Sequence, residues 1–220
     1  MPTGLDKFLQ SMKYISTCIV LVQTLVATGA IKAENLVVNT SQGRVQGKKV
    51  ITQHGQAVNS WLGVPYAAAP EGKRRFAPPK PASSWTGTRL ATTWGNACIQ
   101  APNNPTIAPQ SEDCLVLNIF SPNVNRSLIP VMVWFYGGGF QEGESTEYPA
   151  FDLAAVTETI IVTVNYRVTV MGFMMLPELL PPDSSTGTNW GLLDQQQALR
   201  WVQNNIQAFG GDPSRVTIFG

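Results

Sequence analysis

The sequence predicts an α/β layered fold in which antiparallel strands come first and parallel strands follow. Three observations carry this. PVMVWFY (130–136) and TIIVTVNY (159–166) are unbroken apolar runs rich in β-branched and aromatic residues. Runs without alternation fit strands covered on both faces, as in a parallel sheet under helices. Between 191 and 209 the period lengthens to three or four residues, the mark of an amphipathic helix, before RVTIF (215–219) returns to a strand pattern.

The elements can be justified in chain order. Residues 1–33 hold Lys7 and Lys13, an apolar stretch YISTCIVLVQTLVA (14–27), and small residues at Gly29, Ala30 and Ala33. That layout predicts a secretory signal peptide cleaved after Ala30 or Ala33, and hence a secreted protein whose folded part spans 34–220. The alternative is an uncleaved membrane anchor. The stretch is shorter than the ~20 apolar residues a spanning helix needs, and Ser16, Thr17, Gln23 and Thr24 interrupt it. LVVN, SQG and RVQGKKV then predict one hairpin, and HGQ leads into a further strand, AVNSWLGV. The proline-rich stretch 65–110 shows little periodicity and predicts a long surface segment draped over the rest. LVLNIF (115–120) reads as a strand. In GLLDQQQALRWVQNNIQAF (191–209), Leu192, Gln195 and Gln196 open a stripe continued by Leu199, Val202, Ile206 and Phe209. Gly210-Gly211 ends this helix, and Asp212-Pro213 forbids its continuation.

Charge excludes some partners. Removing the leader takes Lys7, Lys13, Lys32 and Asp6 from the 15 basic and 14 acidic residues, leaving 12 and 13. A net charge of −1 gives no field to attract nucleic acid or anionic membrane. The partner expected is a small, weakly charged molecule or another protein. Of three cysteines, Cys18 leaves with the leader, so Cys98 and Cys114 have one possible pairing. A disulfide is the default in a secreted protein; two buried thiols are the alternative. Sequons at Asn39-Thr40-Ser41 and Asn125-Arg126-Ser127 make Asn39 and Asn125 candidate glycosylation sites in that compartment. One histidine and two cysteines cannot build a zinc site, and no cofactor motif is present.

The chemistry-bearing feature is WFYGGGF (134–140). Three glycines at the end of a buried strand leave a bare backbone whose N–H groups can converge on one negative oxygen. A phosphate loop would read GxxxxGK[ST] and a dinucleotide loop GxGxxG. Here Glu142 and Glu144 follow and would repel a phosphate, which favours a tetrahedral oxyanion. A tight turn is the bland alternative.

The glycines have company. LGVPYAAAP (62–70), RRFAPP (74–79), EDCLVLNIF (112–120), VWFYGGGF (133–140), VNYRV (164–168) and NWGLLDQQQALRWVQNNIQAFGGDPSRVTIFG (189–220) occur in the order found in the type-B carboxylesterases. The chain resembles the N-terminal part of that family, which holds cholinesterases and neuroligins within the α/β-hydrolase fold. The resemblance implies that Gly138 and Gly139 are oxyanion-hole donors. It also implies a Cys98–Cys114 disulfide and two structural salt bridges, Arg75 with Glu112 and Arg167 with Asp194. Tyr136 stands where many members have histidine. The segment between the two cysteines, IQAPNNPTIAPQSED, has no aromatic residue to meet a choline cation, which counts against choline esters.

An acyl-transfer site also needs a nucleophile, a base and an acid. The resemblance places the serine two positions beyond Gly220, with the acid and histidine later still. No catalytic residue is therefore expected among these 220. His54, followed by Gly55, reads as a turn residue; Ser145, Ser184 and Ser185 lack an elbow; Glu112 and Asp113 are adjacent on one strand rather than facing across a cleft. The expected function is a secreted carboxylic-ester hydrolase acting on a small-molecule ester and represented here by its oxyanion-loop part. The alternatives are a catalytically inactive, neuroligin-like adhesion homologue and a naturally short secreted product.

Overall fold

The computed structural model describes residues 36–101, 108–124, 128–175, 178 and 188–220. The leader, the Asn125 sequon and the Ser184–Ser185 pair lie outside the described residues. Nine strands occur among those described: β1 (Val37–Asn39), β2 (Arg44–Gln46), β3 (Lys48–Ile51), β4 (Ala57–Pro65), β5 (Thr88–Leu90), β6 (Val116–Pro122), β7 (Ile129–Phe135), β8 (Ile160–Val164) and β9 (Gly211–Phe219). The helices are α1 (Phe151–Thr157), α2 (Thr169–Phe173) and α3 (Trp190–Asn205).

The expected first hairpin forms, but only half as long as its sequence suggests. β1 and β2 pair antiparallel around Thr40–Gly43, where the Thr40 N–H donates to the Gly43 carbonyl at 2.9 Å. RVQGKKV does not continue as one strand. At Gly47 the chain leaves one sheet for another, because the Gly47 N–H turns back to the Leu36 carbonyl at 2.9 Å. β3 then pairs with β4 through the turn at Thr52–Gln56.

The main sheet has six strands in the order β3-β4-β6-β8-β7-β9. Pairing is antiparallel from β3 to β8 and parallel from β8 through β7 to β9. Both unbroken apolar runs thus meet as parallel neighbours, with Val131 opposite Ile160 and Phe135 opposite Val164. All five residues of β8 are buried, as a central strand requires.

The sheet is packed on both faces. On one face Leu117, Ile119, Val131, Val133, Ile160 and Val162 meet Trp201, Val202, Ile206 and Phe209 from α3 and the turn after it. On the other, Phe120 and Ile161 meet Ala154 and Ala155 of α1, and Phe151 closes edge-on against Phe120 at 4.8 Å.

Three expectations need correction. The stretch 65–110 is not merely draped: β5 adds to β2 in parallel, and Tyr66, Ala67, Ala91 and Cys98 enter the core. The buried face of α3 is Trp190, Gly191, Asp194, Gln197, Ala198, Trp201, Val202 and Asn205; Val202, Ile206 and Phe209 of the expected stripe are buried and Leu199 packs on them, while Leu192 and Gln196 face outward. Asp194 determines that rotation, since its carboxylate is held inside by Arg167. The last strand begins at Gly211 rather than Arg215 and is half covered: Val216 packs against the core, while Ile218 stays exposed. The helix end falls where the glycines predict it. A 3₁₀ turn, Ile206–Phe209, finishes at Gly210 with φ 92°.

Candidate active site

The glycine loop leaves the C-terminal end of β7, the end of a parallel strand at which α/β sheets place their ligands. Tyr136 anchors the departure. Its hydroxyl donates to the Tyr166 carbonyl at 2.9 Å, and the Tyr166 hydroxyl donates back to the Tyr136 carbonyl at 2.6 Å. The rings stack at 4.4 Å between centroids, 18° from parallel. Burial holds the Tyr136 phenol well above its usual range and pushes Tyr166 to about 12. Both phenols are therefore donors at neutral pH and cannot act as bases.

Beyond Tyr136 the chain turns sharply. Gly138 has φ 121° and Gly139 φ 61°. A β-carbon on Gly138 would collide with the carbonyl oxygen of Glu142, so this position needs glycine for space as well as for backbone angle. The Gly138 carbonyl accepts the Gln141 N–H at 3.0 Å, and the Phe140 carbonyl accepts the Thr169 N–H at 2.7 Å. The loop is exposed, and among the described residues no acceptor takes the N–H of Gly138 or of Gly139. Two such amides side by side can stabilise charge growing on a carbonyl oxygen.

β9 ends beside this loop: Trp134 of β7 is in register with Phe219, and Gly220 packs against the Phe135 carbonyl.

The charged residues singled out from the sequence are structural. Arg167 and Asp194 form a buried two-pronged pair, with Nε to Oδ2 and Nη2 to Oδ1 both at 2.8 Å. The Arg167 backbone N–H adds a third bond to Asp194 at 3.1 Å, and Arg167 Nη2 reaches the Ala77 carbonyl at 2.9 Å. Burial pushes the Asp194 carboxyl up, and Arg167 opposes it. Arg75 and Glu112 pair nearer the surface, and the guanidinium pulls the Glu112 carboxyl down against a smaller push from burial. Cys98 and Cys114 are bonded, with S–S 2.03 Å. His54 and Asp113 are exposed, and Asn39 is exposed on β1. Ser145 is buried, accepting from Asn118 Nδ2 at 3.0 Å while its N–H donates to Asn165 Oδ1 at 2.9 Å, so it is no nucleophile.

Sequence reasoning passed over Asn118, Asn165 and Gln100, whose amides tie the segments around the loop together. The one available signal was polarity inside otherwise apolar or cysteine-flanked stretches. Among the described residues there is no cluster of metal-ligating side chains, and no helix is long and apolar enough to cross a membrane.

Comparison with known proteins gives one answer. The profile of the Carboxylesterase family matches residues 34–220. The cocaine esterase of Oryctolagus cuniculus is 44% identical over 196 residues, covering 83% of this chain and 36% of that protein. The para-nitrobenzyl esterase of Bacillus subtilis (strain 168) is 42% identical over 191 residues, 84% of this chain and 37% of its own. The cholinesterase of Mus musculus is 42% identical over 202 residues, 85% of this chain and 32% of its own. A solved PNB esterase superposes with a TM-score of 0.75 at 44% identity, covering 84% of this chain and 38% of that one. The chain thus spans about a third of the length of such relatives, and the fold it shares with them is that of the α/β-hydrolases.

Proposed function

Because this chain belongs to the carboxylesterase family, we propose that it supplies the oxyanion-binding part of a secreted serine ester hydrolase. The observation carrying this reading is the pair of exposed glycines, Gly138 and Gly139, past the end of β7, whose N–H groups meet no acceptor among the described residues. In the reaction, a serine hydroxyl adds to an ester carbonyl and gives its proton to a histidine. The carbonyl oxygen takes the negative charge and is met by the two glycine amides. The tetrahedral intermediate then collapses, the alcohol leaves with that proton, and water hydrolyses the acyl-serine by the same steps. One such amide is typically worth about 3 kcal/mol of barrier.

The serine belongs two positions beyond Gly220, on a turn that the β7–β9 register would bring alongside the glycine loop. The acid and histidine belong farther on. The substrate is a small, weakly charged carboxylic ester. Residues 1–33 act as the leader, and Asn39 and Asn125 carry glycans.

Two measurements test this. The 220-residue product, mixed with a chromogenic short-chain ester, gives no turnover above buffer; turnover would mean that the nucleophile lies among these residues. Reading the transcript past codon 220 gives Ser at the second position, followed after one residue by Gly. Another residue there, with a later membrane span, would replace the hydrolase with a non-catalytic adhesion homologue.

A further inference from the structure

The glycine loop is fixed at its start by Tyr136 and in its middle by the Thr169 N–H on the Phe140 carbonyl. Its far end, Gly143, is held by a side chain. Gln100 Oε1 accepts the Gly143 N–H at 2.8 Å, and Gln100 Nε2 donates to the Gly143 carbonyl at 3.0 Å. The carboxamide thus copies the two-way pairing of one strand residue with another. The second Nε2 proton goes to the Cys98 carbonyl at 3.1 Å, and the Gln100 backbone N–H donates to Gln110 Oε1 at 2.9 Å. Gln100 is only 7% exposed and lies two residues from a disulfide whose cysteines are both buried.

The position of Gly143 reaches the amides that matter. A β-carbon there would collide with the Tyr136 ring and lie 2.8 Å from the Gly137 carbonyl oxygen, so the loop closes on its own start. Gly138 in turn abuts Glu142, the residue before Gly143. Gly143 thus lies against Gly137, which precedes the Gly138–Gly139 pair, and follows Glu142, which packs against Gly138.

We infer that Gln100 is a positioning residue for the oxyanion donors: its carboxamide, anchored by the Cys98–Cys114 bridge, fixes Gly143 and so sets the direction of the Gly138 and Gly139 N–H groups. This rests on the reading of those glycines given above. Nothing about Gln100 places it against substrate.

The test is ¹⁵N relaxation and amide exchange on the full chain, with Gln100→Met, which keeps length without hydrogen bonds, and Gln100→Glu, which keeps an acceptor for the Gly143 N–H but sets carboxylate oxygen against the Cys98 and Gly143 carbonyls. In the unsubstituted chain, order parameters at Gly138 and Gly139 are expected near 0.85, the value of rigid backbone. Both variants lower them below about 0.6 and speed exchange at Gly143 on the order of tenfold or more. Exchange at Thr163, in the central strand, stays unchanged and separates this from general loosening. Rigid Gly138 and Gly139 in Gln100→Met would overturn the inference, leaving Gln100 as a local staple. If neither variant folds, Gln100→Asn, one methylene too short to reach Gly143, decides: mobile Gly138 and Gly139 uphold the inference and rigid ones overturn it. A residue other than Ser two positions past Gly220 would leave these order parameters as they are and remove only the oxyanion reading.

Discussion

Thr169 is the residue where local preference and tertiary demand conflict most. It is β-branched and sits at φ 56°, a region that costs such a residue about 1–2 kcal/mol. Its N–H must point at the Phe140 carbonyl to hold the glycine loop, and that contact keeps it there. Replacing Thr169 with glycine should raise stability by about 1 kcal/mol, read as a higher urea midpoint at unchanged slope. The buried ion pair gives the opposite kind of effect. Arg167→Met strands the Asp194 carboxylate and should cost about 3–5 kcal/mol, whereas adding Asp194→Leu to it should recover part of the loss. Asp212 supplies a pH effect. The Ser214 hydroxyl, with Arg215 and the Ser214 N–H, lowers its carboxyl from 3.8 to about 2. The folded state thus binds its proton less tightly than the unfolded chain. The stability it contributes is complete above 3.8 and is lost as pH falls from there towards 2. Asp212→Asn should flatten the stability profile in that window, measured by denaturant titration at successive pH values. At this scale the paired charges were legible through motif resemblance. Gln100, Asn118 and Asn165 were not, because a carboxamide bonded to distant backbone leaves no periodicity.

Elements were legible where they are long or central. β6, β7, β8 and α3 announce themselves by unbroken apolar runs or helical spacing, because burial on both faces or along one stripe selects those patterns. β5 and α1 were missed for a physical reason. The first is three exposed residues held by pairing to β2, and the second is seven residues whose stability comes from Ala154 and Ala155 packing on the sheet. The α3 stripe departs from expectation only in its opening turns, where Leu192 and Gln196 face outward because a charged residue, Asp194, faces inward. The disulfide is an element-scale constraint on the segment between Cys98 and Cys114. Replacing both cysteines with alanine should cost about 3 kcal/mol on the chain-entropy model, seen as a lower thermal midpoint.

At the scale of the whole molecule, β9 is an outermost strand of the sheet among the described residues. Ile218 is 59% exposed, and Trp134, Tyr148, Leu153 and Phe219 line an apolar cavity of about 250 Å³. An open apolar edge is a template for pairing with another chain. Ile218→Lys should therefore reduce self-association of the 220-residue product, measured by light scattering against concentration. The general architecture was legible as antiparallel strands followed by parallel ones. The change of sheet at Gly47 was not, since a strand pattern does not say which neighbour it will join.

The reciprocal tyrosine pair gives this molecule an optical gauge of its own integrity. Burial keeps the phenols of Tyr66, Tyr136 and Tyr166 protonated well into alkali. Their phenolate absorbance should therefore come late in an alkaline titration, and for Tyr136 together with the loss of the clasp from which the glycine loop departs.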